Sequence, residues 1–226
     1  MNPLAWWRWQ ALFENRAIFL QGLGQTVLAS ALALGLALVL GAVFGVMAVA
    51  PWRLPRWLNR AYVEFTQNTP LVVQVLFLYL GLPYAGIMMP VLWVGVLGLG
   101  IYHGAYVAEV VRAGINSVHR GQLEAAYSQG FNYFGAMRHI ILPQAARVVL
   151  PPLTNQALAL IKNSAVLAMI AGGDLMYYTD SWSSDTLHYG PAYIVAGLLY
   201  LVLTLPLAWL TTNLEVRLGR GQRGVA

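Results

Sequence analysis

Three stretches of this chain run for more than twenty residues without one charged side chain: Val27–Ala50, Ile87–Ala108 and Tyr193–Asn213. A helix of about twenty apolar residues matches the hydrocarbon thickness of a bilayer. Backbone at that depth satisfies its own hydrogen bonds only as a helix or a closed barrel. Two further stretches are almost as apolar: Tyr62–Leu82 carries only Glu64, and Val149–Ile170 carries only Lys162. The chain is therefore expected to be an all-α integral membrane protein of five transmembrane helices, spanning about 27–50, 62–82, 87–108, 149–170 and 193–213. Of its 226 residues only 9% are charged, against about 25% in an average soluble domain. Gly35, Gly41 and Gly45 in the first span permit close helix approach in lipid.

The charges between the spans set an orientation. Arg53, Arg56 and Arg60 follow the first span; Arg112, Arg120, Arg138 and Arg147 follow the third; Arg217, Arg220 and Arg223 follow the fifth. Ten of the thirteen basic residues thus share one side, the cytoplasmic one by the positive-inside rule. Asp174, Asp180 and Asp185 fall on the other side. This places the N-terminus outside and the C-terminus in the cytoplasm, with residues 219–226 a cytoplasmic tail. Residues 1–20 lack the charged, apolar and small-residue order of a signal peptide. Trp6, Trp7 and Trp9 suit the headgroup layer instead, so a short interfacial helix is expected before the first span.

The basic excess is explained by topology, and there is no basic stripe with interleaved aromatics, so no nucleic-acid partner is expected. There are no cysteines, and the four histidines have no helical ligand spacing, so no metal site is expected. His103 is the only histidine within a span and no serine nucleophile motif accompanies it, which argues against an intramembrane enzyme. No inverted repeat of the kind found in secondary transporters is present.

The longest stretch between spans is 109–148, and residues 114–145 form its patterned part. Two short helices are expected, one over about Gln122–Gln129 ended by Gly130 and one over about Tyr133–Leu142 stopped by Pro143. Tyr127, Phe131, Phe134, Ile140 and Ile141 give this hairpin an apolar side. By pattern alone it either lies on the membrane surface or docks a partner.

Within the loop stand Glu124-Ala125-Ala126, three residues, Gly130, nine residues, Ile140, one residue, then Leu142-Pro143. This resembles, at every fixed position, the EAA motif of bacterial ABC-importer permeases of the type I (MetI-like), binding-protein-dependent kind. Arg112-Ala113-Gly114-Ile115, Ser117-Val118 and Gly121-Gln122 resemble the polar amino acid branch of that family. So do Asn68-Thr69-Pro70-Leu71-Val72-Val73-Gln74 and Leu160-Ile161-Lys162-Asn163-Ser164. The likeness extends from about Phe19 to Leu218, and residues 21–218 form the transmembrane domain it implies. Many members of the branch have Arg-Gly before the Thr-Pro, where this chain has Gln67-Asn68, so the identity of the substrate does not carry over.

The resemblance implies a transport subunit in the bacterial cytoplasmic (inner) membrane, passing polar amino acids delivered by an extracytoplasmic binding protein. It implies two ABC ATPase subunits below, and a second permease subunit in a homodimer or heterodimer. Its coupling residues are Gly121, Gln122, Glu124, Ala125, Ala126, Gly130, Ile140, Leu142 and Pro143. Ala125 and Ala126 are expected to let the ATPase backbone approach, and Glu124 to act at the start of its helix. A phosphate-binding loop needs Gly-Lys-Ser/Thr, yet the one lysine, Lys162, follows Ile161. This chain is therefore expected to be no enzyme and to bind no cofactor, ATP and Mg²⁺ being used by the partner ATPase.

Glu64, Asn68, Thr69, Pro70, Gln74, Lys162, Asn163 and Ser164, among the polar residues inside the spans, form the candidate substrate pathway. A lysine at the bilayer centre costs roughly 2.5–3.5 kcal/mol. Lys162 is thus expected to face either a substrate carboxylate or a partner across a subunit interface. Glu64 and Glu109 have arginines close by in sequence with which to pair. Thr69-Pro70 either exposes backbone to a substrate or makes a packing kink.

Overall fold

The computed structural model describes residues 4–222. Residues 1–3 of the N-terminal segment and 223–226 of the tail, Arg223 among them, lie outside the described residues. Helix follows helix, with no strand among the described residues: α1 (Trp6–Glu14), α2 (Arg16–Ala48), α3 (Arg53–Gln67), α4 (Leu71–Tyr84), α5 (Val91–Asn116), α6 (Arg120–Ser128), α7 (Tyr133–Ala136), α8 (Leu142–Asn163), α9 (Leu175–Thr186) and α10 (Tyr189–Gln222). A π-helical turn, Met137–Ile141, joins α7 to α8, and a 3₁₀ turn, Ser164–Ile170, follows α8.

Four stretches are long and apolar enough to cross a bilayer: Arg16–Ala48, Val91–Asn116, Tyr133–Ile170 and Tyr189–Asn213. A fifth span exists only if α3 and α4 count together, because the chain bends by 100° between them. The span expected over 62–82, with Thr69-Pro70 interrupting it, is thus two helices and not one kinked helix. Asn68 ends α3, its Nδ2 donating to the Glu64 carbonyl at 2.7 Å. Pro70, extended at ψ 136, is the N-cap of α4 and has no amide hydrogen to carry the helix on. The first helix of this pair also begins earlier than expected. Asn59, Val63 and Thr66 form a buried stripe along it, while its arginines stay exposed, so α3 is amphipathic.

Pro143 does not stop the second loop helix as expected. The π turn shifts the hydrogen-bond register just before it, so the amide that proline lacks falls where the ladder is already displaced. The chain then runs on through Pro151 and Pro152 to Asn163.

The chain divides into two compact units, residues 1–36, 69–100 and 158–206 in one, and 37–68, 101–157 and 207–226 in the other. In the first, Leu12, Phe19, Leu175, Trp182, Ala192 and Ala196 make a core that holds α1 and α9 against α2 and α10. Backbones come close: a Cβ on Gly22 would lie 2.8 Å from the Leu175 Cα. In the second, Val63, Ala105 and Ala108 form one core and Ile115, Met137, Ile141 and Ala145 another. Gly41 packs on Val107 and Gly45 on Val111, but nothing lies within 4 Å of a Cβ placed on Gly35. Two of the three glycines expected to permit close approach do so within this chain.

Of the apolar window of α5, 61% is buried inside the protein, against 11% for α10. Leu198, Leu201, Val202, Leu205 and Trp209 line the exposed face of α10. Faces so apolar and so uncovered are what a hydrocarbon solvent demands.

Candidate functional site

The loop motif folds into a helical hairpin whose ends are individually capped. The Nδ1 of His119 accepts the Gly121 amide at the start of α6. At its end, the Gly130 amide donates to Tyr127 O at 2.9 Å and the Phe131 amide to Ala126 O at 3.1 Å. Those two bonds, with Gly130 at φ +83, make a Schellman turn. The Oδ1 of Asn132 then caps α7 by accepting the Gly135 amide at 2.8 Å. Each short helix satisfies terminal groups that would otherwise need water.

Below the hairpin, Ile115, Met137, Ile141 and Ala145 are buried, with Val49, Val118, Leu123 and Tyr133 packed around them. The Tyr133 hydroxyl donates to Val49 O at 3.4 Å. A cavity of about 370 Å³ opens here, between the end of α5, α6 and the π turn. The hairpin is thereby rooted in the ends of α2, α5 and α8.

The motif residues separate by exposure. Gln122, Glu124, Ala125, Gly130 and Pro143 are exposed; Gly121, Ile140 and Leu142 are half-buried; Ala126 is 1% exposed. Ala126 therefore cannot receive a partner backbone as expected, because it faces inward while Ala125, one residue along the helix, faces out. Glu124 is the fifth residue of α6, so it does not act at a helix start, where a macrodipole would favour its charge. Tyr127, Phe131 and Phe134, expected on the apolar side of the hairpin, are exposed. Anchoring falls to Met137 and Ile141. Phe134 instead lies over Trp52, with ring centroids 5.6 Å apart, in an exposed aromatic patch.

The pathway candidates belong to two units. In one, Glu64 pairs with the Arg60 Nε at 2.7 Å, both side chains largely exposed, and Asn68 caps α3. Such surface pairs contribute about 0.3–0.5 kcal/mol. Glu109 likewise pairs with Arg112 at 2.6 Å. In the other unit, α4 packs against the 3₁₀ turn that Ser164 begins. The Gln74 Nε2 donates to Thr69 O at 3.1 Å and Pro70 O accepts the Val73 and Gln74 amides, so the backbone freed at the break is re-satisfied. Ser164 is fully buried and donates to Ile161 O at 2.7 Å. Asn163 is half-buried beside it. Lys162 is exposed on α8 with no carboxylate within 4 Å among the described residues.

An all-helical chain with four or five bilayer-length spans and a rooted, double-capped hairpin carrying this motif is a multi-pass membrane subunit of a transport system. The family model for the binding-protein-dependent transport system inner membrane component matches residues 37–220, and the chain belongs to that family. It is 48% identical over 207 residues to the "Probable glutamine ABC transporter permease protein GlnM" of Bacillus subtilis (strain 168), covering 92% of this chain and 96% of that one. It is 34% identical over 200 residues to the arginine transport system permease protein ArtQ of the same organism, covering 88% and 91%. A crystal structure of an amino acid ABC transporter with histidines superposes with TM-score 0.84 at 34% identity, over 92% of this chain and 98% of that one. An inward-facing MetNI methionine ABC transporter superposes with TM-score 0.71 at 14% identity, over 89% and 98%, and shares the fold. The chain is a permease subunit of an ABC importer, a transport component and not an enzyme, and ATP hydrolysis resides in a separate subunit. Its family works with an ATPase and a binding protein.

Proposed function

We propose that this chain forms part of a path for polar amino acids through a bacterial cytoplasmic membrane, with its N-terminus outside and its C-terminus in the cytoplasm. Residues 114–145 are its coupling loop, seated on one of two ATPase subunits that use ATP and Mg²⁺, while this chain binds neither. A second permease subunit, identical or a sister, completes the path, and a binding protein on the other side delivers the substrate. The observation that carries the reading is the exposure of Glu124 and Ala125 on a helix whose opposite side is rooted in the span ends. A push on that face is transmitted to α2, α5 and α8 as rigid bodies. Amino acids as cargo are supported by the names of the relatives, glutamine and arginine among them.

Lys162 and Asn163 on α8, with Gln74 on α4, are the polar groups assigned to the path. Lys162 is the natural partner of a substrate α-carboxylate, since an exposed ammonium in a span demands a polar neighbour. Thr69 and Pro70 shape the break, and Glu64 and Asn68 contribute through the end of α3. The test is uptake of radiolabelled glutamine into proteoliposomes holding this chain, its ATPase and its binding protein. Uptake requiring internal ATP is expected, with Glu124→Arg abolishing uptake while the ATPase subunit alone still hydrolyses ATP. Uptake without any ATPase subunit, or unimpaired uptake in Glu124→Arg, overturns the reading.

A further inference from the structure

The segment between the 3₁₀ turn and α9 drives an acidic side chain into the protein. Ala171 at φ 54 and Gly173 at φ 68 both take left-handed backbone, which an alanine adopts only where its surroundings enforce it. Asp174 follows, with no exposed surface. Its Oδ2 caps α9 by accepting the Met176 amide at 3.0 Å, while its Oδ1 receives no hydrogen bond from the protein. No cation lies within 4 Å of it among the described residues.

The neighbouring polar groups are hydroxyls. Thr26 from α2, fully buried, accepts the Leu175 amide at 2.9 Å. The Tyr200 hydroxyl from α10 lies near Asp174, Thr26 and Ser164 and is buried without a hydrogen bond. Ser30, one turn further along α2, has a buried and unpartnered Oγ. Tyr178, on α9, covers Gly173. Lys162, two residues before Ser164, is exposed. Arg8 and His188 sit at the far end of α9, where Trp182 meets His188 at 5.5 Å. All these groups belong to one compact unit.

Burial without a counter-ion disfavours the charged carboxylate, and the amides at the start of α9 that it caps offset this only in part. We propose that Asp174 is a proton-binding latch. Protonated, it keeps the segment Ala171–Leu175 sealed on α2 through the Leu175–Thr26 bond; ionised, it draws water and releases that seal. Burial pushes the Asp174 carboxyl up to about 6. The folded state thus holds a proton that the unfolded chain has already lost. The stabilisation is complete below the usual carboxylate range and vanishes as pH rises through about 6. Burial, with Arg8 close by, moves His188 down instead, so His188 charges only at lower pH. Under the proposed orientation, which this inference rests on for the side alone, the latch senses external pH.

The test uses the full chain in lipid nanodiscs. An Asp180→Asn, Asp185→Asn background leaves Asp174 the only aspartate, so isotope-labelled aspartate reports it alone in pH-difference infrared spectra. A protonated-acid carbonyl band that titrates near pH 6 is expected, and an aspartate already ionised at about pH 5 overturns the proposal. Hydrogen exchange of the Leu175 amide, corrected for its intrinsic pH dependence, is expected to rise on the order of tenfold between about pH 5 and pH 7.5. Asp174→Asn, a permanent stand-in for the acid, is expected to remove most of that rise. Corrected exchange that is flat in the unmodified chain overturns the latch whether or not the variant folds. Neither readout depends on transport, so failure here is distinct from failure of the importer reading.

Discussion

Gly130 illustrates how much one backbone angle holds. Its φ of +83 closes the turn between α6 and α7, and no atom lies within 4 Å of a Cβ placed there. Gly130→Ala therefore pays only left-handed strain, about 1–2 kcal/mol, and Gly130→Asn is expected to cost less because asparagine tolerates that region. Thermal midpoints of the three proteins in nanodiscs check the ranking. Gly22 is the opposite case, its φ ordinary and its space taken by the Leu175 backbone. Gly22→Ala is expected to destabilise by about 1–3 kcal/mol, whereas Gly35→Ala, with open space around it, is expected to be neutral or mildly stabilising. Denaturant midpoints of the pair measure the contrast. A sequence reader sees three kinds of glycine with one letter.

The hairpin elements are too short to stand on propensity, so their caps and roots decide them. Asn132→Ala removes the side chain that accepts the Gly135 amide, and a loss of about 0.5–2 kcal/mol is expected. That loss should appear as faster hydrogen exchange confined to α7 and the π turn, with α9 unchanged. Exchange spread evenly over the chain would contradict the local cap. The break between α3 and α4 was legible as Pro70, but its completeness was not. Asn68 and Gln74 side chains take up the freed carbonyls, and contacts of that kind have no signature beyond residue type.

Across the whole molecule, the absence of cysteine permits a direct test of topology. Gln129→Cys in the hairpin and Ser184→Cys in α9 both place a thiol at an exposed position. In oriented vesicles a membrane-impermeant maleimide is expected to label the two from opposite sides. Labelling from the same side would refute the proposed orientation. The proposed second permease subunit offers the exposed Lys162 a polar neighbour in the membrane, whereas the barely covered apolar face of α10 suits lipid. Chemical cross-linking of the two permease subunits in the membrane checks it.

What the sequence determined alone was whatever depends on composition along the chain. Bilayer-length apolar runs dictate helices wherever backbone groups lack water, and the fixed spacing of Glu124, Ala125, Ala126, Gly130 and Pro143 survives any detail of packing. What depends on facing was decided only by the tertiary structure. Ala126 turned inward while Ala125 stayed out; Tyr127, Phe131 and Phe134 turned out while Met137 and Ile141 formed the root. A π turn carried the chain past Pro143. In lipid, an apolar residue is equally acceptable against a neighbouring helix or against hydrocarbon, so hydrophobicity does not encode which way a side chain points. Close backbone approach and hydrogen-bond closure choose the face, and both exist only once the helices are assembled.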